Sequence, residues 1–378
     1  MTDFPDRLIF RPGDVDLSRS PLRASLHEPT YVLGAFNPGL TTLPNGNLLA
    51  MIRVAEALRE PVADAHIRTI RWSPEGYVLD RWPVASVDMT DPRQFSFRRN
   101  GHRMLGLTSL SWLLPVELTP DGLQVLAVHY DRAIAPTTPF EEYGVEDARI
   151  SRVDGRWYMT TCAVSAERHC TTLHTSDNGL DYKLEGVVLD HQNKDMVLFE
   201  GKVGDKFMAL TRPLGELYFV YPEDSPYAGG PSINFAQSPD ALHWKPLDQP
   251  GIRGRKASTS AAKVGGGSPP ILTDAGWLML YHGVEPQGVV GAYRTFWALL
   301  AADDPSRIVR LEDGAPLLEA DPRLTESIAH LAYLPTPAVF TTGIVDASLG
   351  GGADHYIVAS GEADLACRIT HIPKSRFA

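Results

Sequence analysis

From Tyr31 onward one pattern returns along the chain: a turn carrying Gly or Asp, then a short apolar run that often closes on a polar or charged residue. The copies are PNGNLLAMIR ending at Arg53, RNGHRMLGLTSL ending at Leu110, VDGRWYMTTCA ending at Ala163, VGDKFMALTR ending at Arg212, DAGWLMLYH ending at His282 and GGADHYIVASGEAD ending at Asp364. A second set of turns interleaves with them: SPEGYVLDRW from Ser73, TPDGLQVL from Thr119, SDNGLDY from Ser176 and SPDALHW from Ser238. Turns of this chemistry lead straight into strands. Imperfect recurrence at about 45–70 residues, built of strand and turn alone, indicates an all-β chain with propeller blades of roughly four strands each. A sandwich would also give short strands, but not this spaced self-similarity. The copies number five or six, because residues 85–110 read equally well as an insertion. Residues 1–30, rich in Pro and Arg, read as an irregular lead-in, and residues 31–378 as a single propeller domain. The stretch DPRLTESIAHLAYL (residues 321–334) reads as one short helix, bracketed by Pro322 and Pro335.

Composition removes several function classes. A net charge of -11 argues against nucleic acid, whose phosphates call for basic patches. No apolar run of about eighteen residues is present, so no membrane partner is expected. The N-terminal MTDFPDRLIFRPGDVDLS lacks the apolar core of a signal peptide. Cys162, Cys170 and Cys367, with no CxxC spacing, suggest neither a disulfide framework nor a metal site, and fit a reducing cytoplasm. The triplets Gly265–Gly267 and Gly350–Gly352 lack the context of a nucleotide loop and read as tight turns at a propeller rim.

Chemistry concentrates in Tyr143-Gly-Val-Glu146-Asp147-Ala-Arg149-Ile150. On an extended segment adjacent side chains point to opposite faces, so Glu146 and Asp147 are expected to do different jobs, with Arg149 on the face of Asp147. An acid beside an arginine is also the ordinary composition of a structural ion pair. In a propeller the innermost strands line a funnel, so residues at strand ends converge from far apart in sequence. Arg53, Arg212, His282 and Asp364 close apolar runs; Asn37, Asp147, Arg149, Lys194, Asp195 and Lys263 flank others. A lone charge at a strand end is normally solvated. Several in register with a repeat suggest a polar pocket on the axis, where Lys194, Arg212, Lys263 and His282 would suit a small anion.

The stretches AFNPG (35–39), LLAMIRV (48–54), GVEDARI (144–150), KDMVLFEGKVGDKFMALTRP (194–213), GGGSPPILTDAGWLMLYHGV (265–284) and SGEAD (360–364) resemble glycoside hydrolase family 130, the β-mannoside phosphorylases and related β-mannosidases. They run in family order over nearly the whole chain. The resemblance implies a five-bladed β-propeller with the active site on the central axis. It implies Asp147 as the general acid, acting through the 3-hydroxyl of the mannosyl unit. Asn37, Arg53 and Asp364 would bind that unit, and Lys194, Arg212, Lys263 and His282 would cradle phosphate. Aromatic walls are expected from Tyr143, Tyr218, Tyr221 and Tyr281, each with an alternative as a packing residue. There are departures: Ala148 replaces a proline, Lys194 an arginine, and Glu56 is shifted by one residue, which moves it to the other strand face. The segment from Arg59 to Leu110 is long for the family and is expected to reshape the acceptor side.

An inverting hydrolase needs a second carboxylate as base, whereas a phosphorylase needs cations for phosphate, which is its own nucleophile. The basic set favours inverting phosphorolysis of a β-mannosyl disaccharide or oligosaccharide, giving α-mannose 1-phosphate. No cofactor is expected beyond inorganic phosphate as co-substrate. Hydrolysis, with Glu200 or Glu285 as base, is the alternative, and a non-catalytic sugar- or protein-binding propeller the second. A homo-oligomer is compatible with either reading.

Overall fold

The structure, a computed structural model, describes residues 4–215, 218–350 and 354–377. The expectation of an all-β chain holds. Among these residues the helices are short: Pro322–Thr325 is α-helical and continues as the 3-10 turn Glu326–Leu331, where one short helix was expected. No helix among them is long and apolar enough to cross a membrane.

Each recurring copy supplies the second strand of a hairpin. Asp154 and Gly155, both at positive φ, form the tight turn joining Gly144–Val153 to Arg156–Val164. The runs ending at Arg53, Ala163, Arg212, His282 and Asp364 each enter a sheet of four or more strands. The run ending at Leu110 differs. Its first part forms the turn and the strand His102–Leu107, which pairs with the preceding Gln94–Arg99 in a separate two-stranded sheet. The interleaved turns at Ser73, Thr119, Ser176 and Ser238 precede the outermost strand of their sheets.

The largest sheet carries eight strands but is two antiparallel halves. One holds Thr30–Thr42, Leu48–Leu58, Ser109–Leu118 and Val125–Val128; the other runs from Gly144–Val153 to Lys183–Leu189. A single parallel pair, Gly144 with Ser111, joins them. A third sheet starts at Asn193–Val203, and a fourth at Lys263–Gly266. The last sheet contains Val339–Asp346, His355–Glu362 and Ala366–Pro373, and its edge is Asp6–Phe10. The segment read as an irregular lead-in therefore contains a strand, whose alternating DRLIF buries Leu8 and Phe10.

The first strands of these sheets pack against one another at short range. A Cβ on Gly39 would come within 2.8 Å of the Ala148 carbonyl oxygen, and one on Gly343 within 2.4 Å of Leu40. Gly265 and Gly266 are not rim turns. They lie within the strand Lys263–Gly266, where a side chain on Gly265 would meet Asp195 and His282 at 2.5 Å. Glycine is needed there for close approach. Of the other triplet, Gly351 and Gly352 lie outside the described residues.

Candidate active site

Three of those first strands carry the same irregularity. Pairing slips between Phe36 and Gly39, between Glu146 and Arg149, and between Lys194 and Val197. At each slip stands a non-glycine residue in the left-handed region: Asn37 (φ 51°), Asp147 (φ 54°) and Asp195 (φ 57°). Asp364 (φ 51°) has the same conformation in the turn after His355–Glu362. Asn and Asp tolerate this backbone best among residues with a Cβ. A bulge redirects the side chain it carries, and here it overturns strict alternation. Glu146 and Asp147 do not face opposite ways; one guanidinium holds both. Arg53 donates through Nη2 to Glu146 Oε1 (2.8 Å) and through Nη1 to Asp147 Oδ1 (3.0 Å), while its Nε donates to Ser111 (2.9 Å).

The network spreads across the sheets. Asn37 Nδ2 donates to Asp147 Oδ1 (2.8 Å) and Lys194 Nζ to Glu146 Oε2 (2.9 Å). Arg149 points not to the Asp147 carboxylate but to backbone. Its Nη1 donates to the Asp147 carbonyl (2.7 Å) and its Nε to that of Gly267 (2.6 Å). Asp195 forms an ion pair with Arg212 (2.6 Å), and Arg212 Nη1 lies 3.0 Å from His282 Nε2.

These contacts set the charge states. Burial pushes the Asp147 carboxyl up, but Arg53, Arg149 and Lys194 with the Asn37 hydrogen bond outweigh it and hold it well below the usual carboxylate range. Glu146 is held low too, burial being outweighed by Arg53 and Lys194. Asp364 goes the other way: burial raises it, and Arg53 and Arg93 only partly offset this. His282 is fully buried and surrounded by Arg212, Lys263 and Arg149, so burial and like charge keep the imidazole neutral.

A cavity of about 280 Å³ opens over this floor. Asn37, Arg53, Asp147, Lys194, Arg212, Lys263 and Asp364 line it. His282 does not; it stands behind Arg212, whose guanidinium it contacts. The four tyrosines expected as walls lie elsewhere. Tyr143 sits by Glu142, Asp80 and Arg71, its hydroxyl pushed up to about 12 by burial. Tyr281 is buried and donates to the Glu312 carbonyl. Tyr221 packs on Tyr227, and Tyr218 accepts from the Gly215 amide. The aromatic walls are instead Phe36, Tyr293, Tyr333 and Phe340. His169 is a further lining residue, kept neutral at about 4 by burial and by Lys194. Arg93 and Gln94 also reach the cavity, from the long segment after Leu58. Sequence reasoning named none of these seven, since each side chain is ordinary in its local context.

The carboxylates weighed as alternatives are off the cavity. Glu200 accepts weakly from the Arg152 amide (3.4 Å), and Glu285 pairs with Arg294 (2.7 Å). Glu56 faces the opposite side of its strand, as its shifted position implied. There it accepts from Ser20, Thr30, Trp112 and Arg23.

Comparison with known proteins adds to this geometry. A family profile described as β-1,4-mannooligosaccharide phosphorylase, glycoside hydrolase 130, matches residues 113–375. The β-1,2-mannobiose phosphorylase of Listeria innocua is 30% identical over 310 residues, covering 78% of this chain and 79% of that protein. A protein of the same description from a Thermoanaerobacter species is 30% identical over 243 residues, 63% of this chain and 70% of its own. Among solved structures, the Listeria innocua β-1,2-mannobiose phosphorylase in complex with β-1,2-mannobiose superposes with a TM-score of 0.76 at 24% identity. That match covers 98% of this chain and 97% of that one.

Proposed function

This chain belongs to glycoside hydrolase family 130, and on that premise we propose that it is an inverting glycoside phosphorylase. It cleaves a β-mannoside with inorganic phosphate to give α-mannose 1-phosphate. The observation that carries this reading is what lines the cavity together with Asp147. Lys194, Arg212 and Lys263 line it, whereas Glu200 and Glu285 do not. Of the other cavity carboxylates, Glu146 pairs with Arg53 and Lys194 and Asp195 with Arg212, while Asp364, raised by burial, is assigned to the mannosyl unit. Phosphate needs cations and no base, since it is already an anion.

In this mechanism Asn37, Arg53 and Asp364 hold the mannosyl unit over the floor, and His282 backs Arg212. Phosphate, held by the three cations, attacks the anomeric carbon with its own oxygen. The glycosidic C–O bond breaks on the opposite face, and the leaving oxygen takes a proton that originates on Asp147. Arg53, Arg149 and Lys194 hold Asp147 ionised. It takes up its proton once bound phosphate offsets the positive charge of its neighbours. The sheets are read as a five-bladed propeller built from residues 31–378 together with the strand Asp6–Phe10, with the site on its axis. The hairpins that end at Arg53, Ala163, Arg212, His282 and Asp364 support five blades, and Asp6–Phe10 closes the last sheet. A cytoplasmic location accords with retention of a charged product.

The test is a paired incubation with β-1,2-mannobiose and β-1,4-mannooligosaccharides, with and without inorganic phosphate. The names of the relatives make these the first substrates to try. Mannose 1-phosphate formed only with phosphate is the expected result. Free mannose released regardless of phosphate would overturn phosphorolysis in favour of hydrolysis.

A further inference from the structure

The strands Leu48–Leu58 and Ser109–Leu118 are paired neighbours, with Ala57 opposite Ser109. Between them the chain makes an excursion and returns beside its point of departure. It contains the three-stranded sheet Val62–Ala63, His66–Ser73 and Gly76–Pro83, then the hairpin Gln94–Arg99 and His102–Leu107. The hairpin is well anchored. Phe95 is fully buried, 5.3 Å from the Trp82 ring, and lies so close over Gly106 that a Cβ there would fall 2.1 Å from it. Ser96 pairs with Asp88, and Thr108 donates from its amide to the Arg93 carbonyl (3.1 Å) and from its hydroxyl to that of Pro92 (3.1 Å). The residues these contacts fix in place, Arg93 and Gln94, line the cavity.

We propose that Arg93 and Gln94 form the acceptor side of the site and bind the neutral sugar that leaves from the mannosyl unit. This rests on the phosphorylase reading for the direction of the reaction. Inversion puts nucleophile and leaving group on opposite faces of the reacting carbon. The phosphate cations come from the strands around Lys194, Arg212 and Lys263, so the leaving sugar faces away from them. The excursion approaches alongside Leu33 and Ala55, from the sheet that carries Arg53. Its charge also fits. Arg93 is matched by Asp91 in a two-point contact, Nε to Oδ1 at 3.0 Å and Nη2 to Oδ2 at 2.8 Å. Among the described residues Arg93 Nη1 has no hydrogen-bond partner, and Gln94 spends only its Nε2, on Asp91 (3.2 Å). What remains is donors and an acceptor with no net charge, beside the apolar Leu107. That suits hydroxyl groups and disfavours a carboxylate or a second phosphate.

The test assays Arg93→Ala, Arg93→Lys and Gln94→Ala in synthesis, from α-mannose 1-phosphate with mannose, glucose or N-acetylglucosamine, and in phosphorolysis. In Arg93→Ala the KM for the acceptor rises about tenfold or more, and the ranking of acceptors changes, while the KM values for α-mannose 1-phosphate and phosphate stay within about twofold. Arg93→Lys, which loses the planar fork, recovers little. An acceptor KM that does not move, or a phosphate KM that moves by the same factor, overturns the proposal. Thermal melting is read on each variant. Gln94→Ala, which removes a single bond to Asp91, serves if Arg93→Ala does not fold. A wild-type protein that makes no mannose 1-phosphate would be a failure of the phosphorylase reading. Calorimetric titration with β-1,2-mannobiose then still decides: weaker binding by Arg93→Ala supports the acceptor contact, and equal binding refutes it.

Discussion

Arg53 and Arg93 both line the cavity and both pair with carboxylates, and they are held in opposite ways. Arg53 reaches partners 58, 93 and 94 residues away, across three strands. Arg93 is held by Asp91, two residues back, within its own loop. Arg53 is 16% exposed and Arg93 34%. The floor is thus fixed by long-range contacts that form only when the sheets come together, whereas the excursion carries its own geometry and is pinned through Phe95 and Thr108. Long-range fixation makes a position intolerant of change. Local fixation lets a position vary without disturbing the floor, which suits residues that choose among acceptors.

The sharpest probe of the floor is Asp147→Asn. It keeps the shape and the Asn37 contact region while removing the proton, so turnover falls by about 10²–10⁴-fold with an unaltered circular dichroism spectrum. A variant that keeps its rate would show that the floor is not the reaction centre. Next is stability. Arg53→Ala leaves Glu146 and Asp147 buried without their shared cation and costs about 3–5 kcal/mol. Arg93→Ala, removing a partly exposed local pair, costs less than about 1 kcal/mol. Urea unfolding of the two proteins side by side checks the contrast, and equal losses would erase it. Third, Arg212→Ala loses a charged contact, and the KM for phosphate rises about 10–100-fold with the acceptor KM little changed. Calorimetry with phosphate alone would show the same loss.

The smallest effect on turnover is expected at Glu200, which acts on the pH dependence of stability. Burial raises the Glu200 carboxyl from its ordinary 4.5 to about 7. The folded state therefore keeps a proton that the unfolded chain gives up, so this contribution is complete below pH 4.5 and is lost as pH rises through 7. Glu200→Gln should flatten the fall in stability between those limits, about 3 kcal/mol at most, which melting temperature against pH reads out. Its turnover should be unchanged, because Glu200 is not a cavity residue. A loss of turnover would revive it as a base.

Much of the floor was legible in the sequence because strand ends in register with a repeat are forced together by the fold. Asn37, Arg53, Asp147, Lys194, Arg212, Lys263 and Asp364 reach one cavity for that reason. Alternation misjudged Glu146 and Asp147, because a bulge adds a residue that no pattern of apolar side chains records. Tyr143 seemed placed by its neighbours in the motif, yet it precedes Gly144 (φ 129°), before the strand reaches the cavity. Arg93, Gln94, Tyr293 and Tyr333 could not be read at all. Arg93, Gln94 and Tyr333 enter through the way irregular segments pack, Tyr293 through the placing of the strand Ala292–Leu300, and nothing in DPRQF or AYRTF states either. The strand at Asp6–Phe10 was visible in the alternation of DRLIF, but its partner, Ala366–Pro373, lies at the far end of the chain.

The left-handed backbone at Asn37, Asp147, Asp195 and Asp364 limits which side chains can stand on the floor. Glycine fits there without penalty and asparagine and aspartate at the least cost among the rest, and a branched residue would have to pull the strand straight first. Two of the three carry a single polar group of nearly identical size, so the floor has a very small alphabet. Selection for a different leaving sugar or linkage would find few viable letters at these four sites. It would accumulate its changes in the walls, with the loop that carries Arg93 the most readily rewritten.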